Sequence, residues 1–159
     1  MQPDHPHRPA VVPTTRSLRK FFAGLAGGIS LFGALAARAD GNPPVFTGVV
    51  EPILARSCVS CHGEKKQKKN LRLDSLTAIM KGAKDGAVVV PGNADQSELT
   101  QRLHLDPDDD DHMPPKNKPQ LTGREILILD WWINAGAPGD VPLTSLKVPG
   151  DVAAAIRGR

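Results

Sequence analysis

Apolar residues fall into a few short groups, separated by long polar stretches rich in proline and glycine. The first group is Phe21 to Ala36, 16 residues without a charge, preceded by Arg16, Arg19 and Lys20 and followed by Ala37-Arg38-Ala39. A charged start, a short apolar middle and an A-x-A end form the pattern of a secretory signal. Residues 1–39 are therefore expected to be cut away, with Asp40 as the new first residue. The run is short for a membrane span and carries Gly24, Gly27, Gly28 and Gly33, which weighs against an uncleaved anchor. Next, Val45, Phe46, Val49, Ile53 and Leu54 recur near helical spacing and predict a helix from Pro44 to Ser57, kinked or restarted at Pro52. Leu76 to Met80 predicts a short helix with Asp74 as N-cap, Gly82 as stop and Met80 facing the core. Asp95-Gln-Ser-Glu98 and Thr122-Gly-Arg-Glu125 both have the form of a capping box and predict helices near 96–103 and 122–136. In the latter, Ile126, Leu129 and Trp132 or Ile133 share a face. Trp131 and Trp132 are adjacent, so one is expected in the core and the other partly exposed. Gly139 to Arg159 has weak periodicity and is expected to be a flexible C-terminal tail. The pattern gives an all-α, loop-rich domain over residues 40–138.

Composition sharpens this in one respect. The chain has 159 residues with four Phe, two Trp and no Tyr, against 15 Gly and 15 Pro. So few large side chains make a thin core, and a large flat apolar ligand would supply the missing buried surface. Charge misleads at first sight. Residues 1–39 hold five basic residues and one acid, so removing them from totals of 20 and 17 leaves 15 basic and 16 acidic residues. The exported part is near neutral, and nothing calls for a nucleic-acid partner.

The candidate chemistry lies at Cys58-Val59-Ser60-Cys61-His62. C-x-x-C-H is the attachment signature of c-type haem. On a helical turn the positions i, i+3 and i+4 share a face. Both thiols can then add to the haem vinyl groups while the imidazole reaches the iron from the same side. Gly63 lets the chain leave sharply. A structural zinc site would need four ligands, and no second Cys pair exists. A thioredoxin-like redox pair would need a βαβ context that is missing. Haem iron used for electron transfer takes an axial Met or His opposite the first His. Met113, in His112-Met113-Pro114-Pro115, is the favoured distal ligand because two prolines stiffen its segment outside any helix. His112 and His104 are the other candidates.

Several ordered motifs carry a family resemblance. They are Val50-Glu-Pro-Ile-Leu-Ala-Arg-Ser-Cys58-Val-Ser-Cys61-His62-Gly63, Leu71-Arg-Leu-Asp-Ser75, Val90-Pro-Gly-Asn-Ala-Asp-Gln-Ser-Glu-Leu99, Met113-Pro-Pro115, Leu121-Thr122 and Trp132-Ile-Asn-Ala-Gly-Ala137. Over residues 44–138 the chain resembles the planctomycete-type cytochrome c domain, a branch of the class I cytochromes c. The resemblance implies a class I helical fold around one covalent haem c, bound by Cys58 and Cys61, with His62 as proximal and Met113 as distal iron ligand. In that fold the last helix crosses the first and closes one edge of the haem pocket.

Two charged segments flank these motifs. Lys65, Lys66, Lys68 and Lys69 form either a docking patch for an acidic redox protein or an ordinary solvated loop. Asp106 and Asp108 to Asp111 resemble the start of a calcium loop, but Asp111 stands where the turn glycine belongs and Asn117 where the bidentate Glu belongs, so calcium is not expected. No catalytic base, nucleophile or open metal site is evident. The expectation is a monohaem electron carrier rather than an enzyme. It would work in the periplasm or an equivalent compartment and pass single electrons between redox proteins. The alternatives are a haem-based sensor or ligand-binding module with a weak distal ligand, and a haem-free thiol or metal-binding protein.

Overall fold

Pro52 shapes the first helix. A proline inside a helix cannot donate to the carbonyl four residues back, and its ring crowds that carbonyl. In the computed structural model, which describes residues 42–159, the chain answers with a widened π-helical turn over Phe46–Val50. This runs directly into α1, Glu51–Ser57, with Pro52 in its first turn. Carbonyls of this turn also accept from outside the helix. Arg159, at the far end of the chain, donates to Val49 O at 2.6 Å and to Gly48 O at 3.1 Å. The expected signal segment 1–39 lies outside the described residues.

Four further helices follow: α2 Leu76–Lys81, α3 Glu98–His104, α4 Gly123–Asn134 and α5 Gly150–Arg157. Short 3-10 turns cover Lys68–Asn70 and Leu143–Ser145. Among the described residues there are isolated bridges but no strand, and no helix is long and apolar enough to cross a membrane. The all-α expectation holds.

The starts of the helices correct the sequence reading in two places. The N-cap of α2 is Ser75, whose hydroxyl accepts from Ala78 N–H, and not Asp74, which pairs instead with Arg72. The stop at Gly82 is as expected. Its φ of +80° and the 2.4 Å that would separate an added Cβ from Gly86 O both demand glycine. Asp95 does not cap α3. The Asn93 side chain caps a separate turn through Gln96 N–H, and α3 starts after Ser97. The Ser97 hydroxyl is already occupied, accepting from Val90 N–H and donating to Asn93 O, both at 2.8 Å. At α4 the capping box forms as read, with Thr122 and Glu125 bonding reciprocally.

Val45, Val49, Val50, Ile53 and Leu54 on the first helix meet Ile128, Leu129, Trp132 and Ile133 on α4 in the buried core. Phe46 packs on Trp132 with ring centroids 6.0 Å apart. Met80, expected in the core, is exposed on α2. The expectation of one buried and one partly exposed tryptophan is also corrected, since Trp131 and Trp132 are both buried. The cause is the segment expected to be a flexible tail. Residues 139–159 fold back as a 3-10 turn and α5, and α5 packs on α4 with Val152 and Ala155 buried. Lys147 O accepts from Trp131 Nε1 at 3.3 Å, and Pro138 O from Trp132 Nε1 at 2.9 Å. Each indole is thus satisfied by a different stretch of returning chain.

Candidate functional site

The motif Cys58 to His62 sits immediately after α1. Cys58 N–H still donates to Leu54 O, and His62 N–H donates to Cys58 O at 2.9 Å. This single helical turn puts both thiols and the imidazole on the wall of one cavity of about 520 Å³, well inside the roughly 300–1,000 Å³ of sites for small molecules and cofactors. Gly63 matters here through close approach. A Cβ on it would lie 2.6 Å from Val59 O, so any larger residue would push the turn apart.

The loop after the motif folds back over it. Lys68 N–H donates to Cys61 O at 3.1 Å, and Leu73 N–H to His62 O at 2.7 Å. The same loop orients the histidine ring, whose Nδ1 lies 3.1 Å from Lys68 O. A carbonyl can only accept, so Nδ1 carries the proton and the lone pair of the neutral ring is on Nε2. Burial lowers the His62 pKa below the ordinary histidine value, partly opposed by the bond to Lys68. The neutral form, the one that can ligate a metal, is therefore favoured. Burial also pushes the Cys58 thiol up to about 11, against the smaller effect of Arg56. A reactive Cys-x-x-Cys pair has the opposite character, a stabilised thiolate.

Met113 reaches the same cavity from the other part of the chain, with Pro114 and Pro115 beside it. Its peptide bond to Pro114 is cis. The other two candidates for a distal ligand are elsewhere. His112 is buried with both ring nitrogens engaged, Nδ1 at 3.0 Å from Leu105 O and Nε2 at 3.1 Å from Gln120 Oε1. His104 is exposed, with Nε2 2.9 Å from Asp130 Oδ2, at the edge of a separate smaller hollow.

A covalent haem suits this cavity on its own terms. Leu54, Leu71, Leu73, Val88, Leu103 and Leu129 give it an apolar wall that would suit a flat macrocycle. Two thiols, an imidazole with a defined lone pair and a thioether open into it. Three contributors were not found from sequence: the Lys68 carbonyl behind His62, and the Arg102 and Gln120 side chains that hold the Met113 segment. The first is a backbone atom and has no residue-type signal. The other two belong to residues whose types are common on any surface.

Neither a curated protein nor a solved structure matches the chain. A family model does, and it starts at the first cysteine of the motif and ends four residues beyond Met113. Residues 58–117 match the family described as Planctomycete cytochrome C, which supports the resemblance drawn from the sequence motifs.

Proposed function

We propose that the protein is a monohaem c-type cytochrome that passes single electrons between redox proteins outside the cytoplasm. The observation that carries this is the convergence of Cys58, Cys61, His62 and Met113 on one apolar cavity, with His62 oriented by the Lys68 carbonyl. Haem supplies a centre that is reversibly oxidised and reduced by one electron. The chain's own residues do the rest. Cys58 and Cys61 tether the group, His62 Nε2 and the Met113 sulfur bind its iron, and the leucine wall keeps water out. Burial and a thioether ligand both set the potential above that of a bis-histidine haem. The exposed Lys65, Lys66, Lys68 and Lys69 fit a partner with an acidic face.

The test is to express the chain together with a haem-attachment system and record spectra in both oxidation states. Covalent haem with sharp low-spin bands and a weak near-infrared ferric band is expected. Met113→Ala should abolish that near-infrared band and lower the midpoint potential by more than about 59 mV, the equivalent of a tenfold change for one electron. A chain that attaches no haem sinks the reading. High-spin ferric features in the unmodified chain would instead mark a ligand-binding module.

A further inference from the structure

Met113 lies in a stretch from Leu105 to Gln120 that forms no helix. Two hydrogen-bonded braces fix this stretch. The first comes from Arg102 on α3. Its carbonyl accepts from Met113 N–H at 3.0 Å. Its guanidinium Nη1 donates to Asp111 Oδ1 at 2.9 Å and to Asp111 O at 3.2 Å. Nε donates to Glu98 Oε1 at 2.8 Å, one turn back on the same helix, which aims the guanidinium at the loop. The second brace is Gln120. Its Nε2 lies 3.1, 3.0 and 2.9 Å from the carbonyls of Pro114, Pro115 and Lys118, and its two N–H groups are shared among these three acceptors. Its Oε1 faces His112 Nε2, and the His112 ring is bonded in turn to Leu105 O. Met113 therefore stands between two clamped points, Asp111 on one side and Pro114-Pro115 on the other.

A thioether is neutral and binds iron weakly, so the strength of its hold depends on how firmly the chain presents it. The geometry points to Arg102 and Gln120 as positioning residues for Met113, which together keep the sulfur at the iron and exclude small competing ligands. This rests on Met113 being the distal ligand. Arg102 and Gln120 bond to backbone carbonyls on either side of Met113, whereas the exposed Lys116–Asp108 pair joins only two side chains of the same loop.

The haem-loaded full chain tests this with Arg102→Leu, Gln120→Leu and, as control in the same loop, Asp108→Ala. The readouts are the near-infrared ferric band and the affinity for imidazole. A rise in the unligated Met113 population from about 1% to about 10% would tighten apparent imidazole binding about tenfold. Arg102→Leu and Gln120→Leu are each expected to weaken the band and tighten imidazole binding on that scale. Asp108→Ala should do neither. Arg102→Lys should fall between, since it keeps the charge but loses the fork. Wild-type band and imidazole affinity in both Leu variants, with far-UV circular dichroism intact, overturn the proposal. So does an equal response from Asp108→Ala. If Arg102→Leu does not fold, Gln120→Leu and Asp111→Asn carry the test. Absence of the band in the unmodified protein would sink the Met113 assignment itself, and this inference with it.

Discussion

At the scale of single residues, Glu125 gathers three side-chain bonds on one oxygen outside the cavity. Its Oε2 accepts from Thr122 N–H at 2.8 Å, from the Thr122 hydroxyl at 2.9 Å and from Arg56 Nη2 at 2.6 Å. The carboxylate closes the capping box of α4 and at the same time ties α4 to α1, the helix that leads into Cys58. Burial raises its pKa, but the bonds from Thr122 and Arg56 outweigh this, and the net value lies below the ordinary 4.5. A depressed carboxylate stabilises the fold above its unfolded-state pKa and loses that contribution as pH falls through the folded-state value. Glu125→Gln should therefore cost about 1–2 kcal/mol at neutral pH. The gap from the unmodified chain should shrink progressively once the pH drops below 4.5. Denaturant titrations at several pH values measure both, and a gap that stays constant into acid would show that the charge contributes nothing.

At the scale of elements, what could be read from the sequence was whatever rests on local chemistry. Thr122 and Glu125 stand three apart with nothing competing for the hydroxyl, and α4 starts where the motif says. Asp95 and Glu98 have the same spacing, yet the claim of Val90 on Ser97 from seven residues back, together with the Asn93 turn, moved the start of α3. The attachment motif could be read because its residues are consecutive, whereas the braces on Met113 join Arg102 and Gln120 across the intervening loop. The last segment was missed for a related reason. Helix α5 has eight residues and buries only Val152 and Ala155, too little to show as a periodic pattern, while the surface it packs on belongs to another helix, α4. This gives a second prediction. Val152→Asp would place an unpaired carboxylate against that surface and should cost about 3 kcal/mol or more. Hydrogen exchange should show the amides of α5 losing protection along with the drop in denaturation midpoint. A mobile tail would leave both unchanged.

At the scale of the whole molecule, net charge and local charge have opposite signs. Residues 40–159 carry 15 basic and 16 acidic side chains, and two haem propionates would add to the acidic excess. The arrangement is uneven. Arg56, Arg72, Arg102 and Lys116 are spent on ion pairs with acids, whereas Lys65, Lys66, Lys68 and Lys69 are exposed and make no ion pair among the described residues. Lys68 and Lys69 also line the cavity. In the acidic loop, Asp111 and Asp108 are partly neutralised by Arg102 and Lys116, which weakens its reach toward that opening. The Debye length is about 10 Å at 0.1 M salt, so at that ionic strength a reagent at the cavity feels mainly the charges that line it, Lys68, Lys69, Arg102 and Lys118 against Asp85, Glu98 and Asp111, and little of the rest of the surface. Electron exchange with an anion such as ferrocyanide should therefore slow as salt rises, as expected for screened attraction, even though the protein as a whole is not cationic. Changing the four lysines to glutamine should flatten that dependence without altering the near-infrared band. A rate that rises with salt would mean that the overall acidic charge governs approach, and the lysine loop would then be a solvated loop with no part in docking.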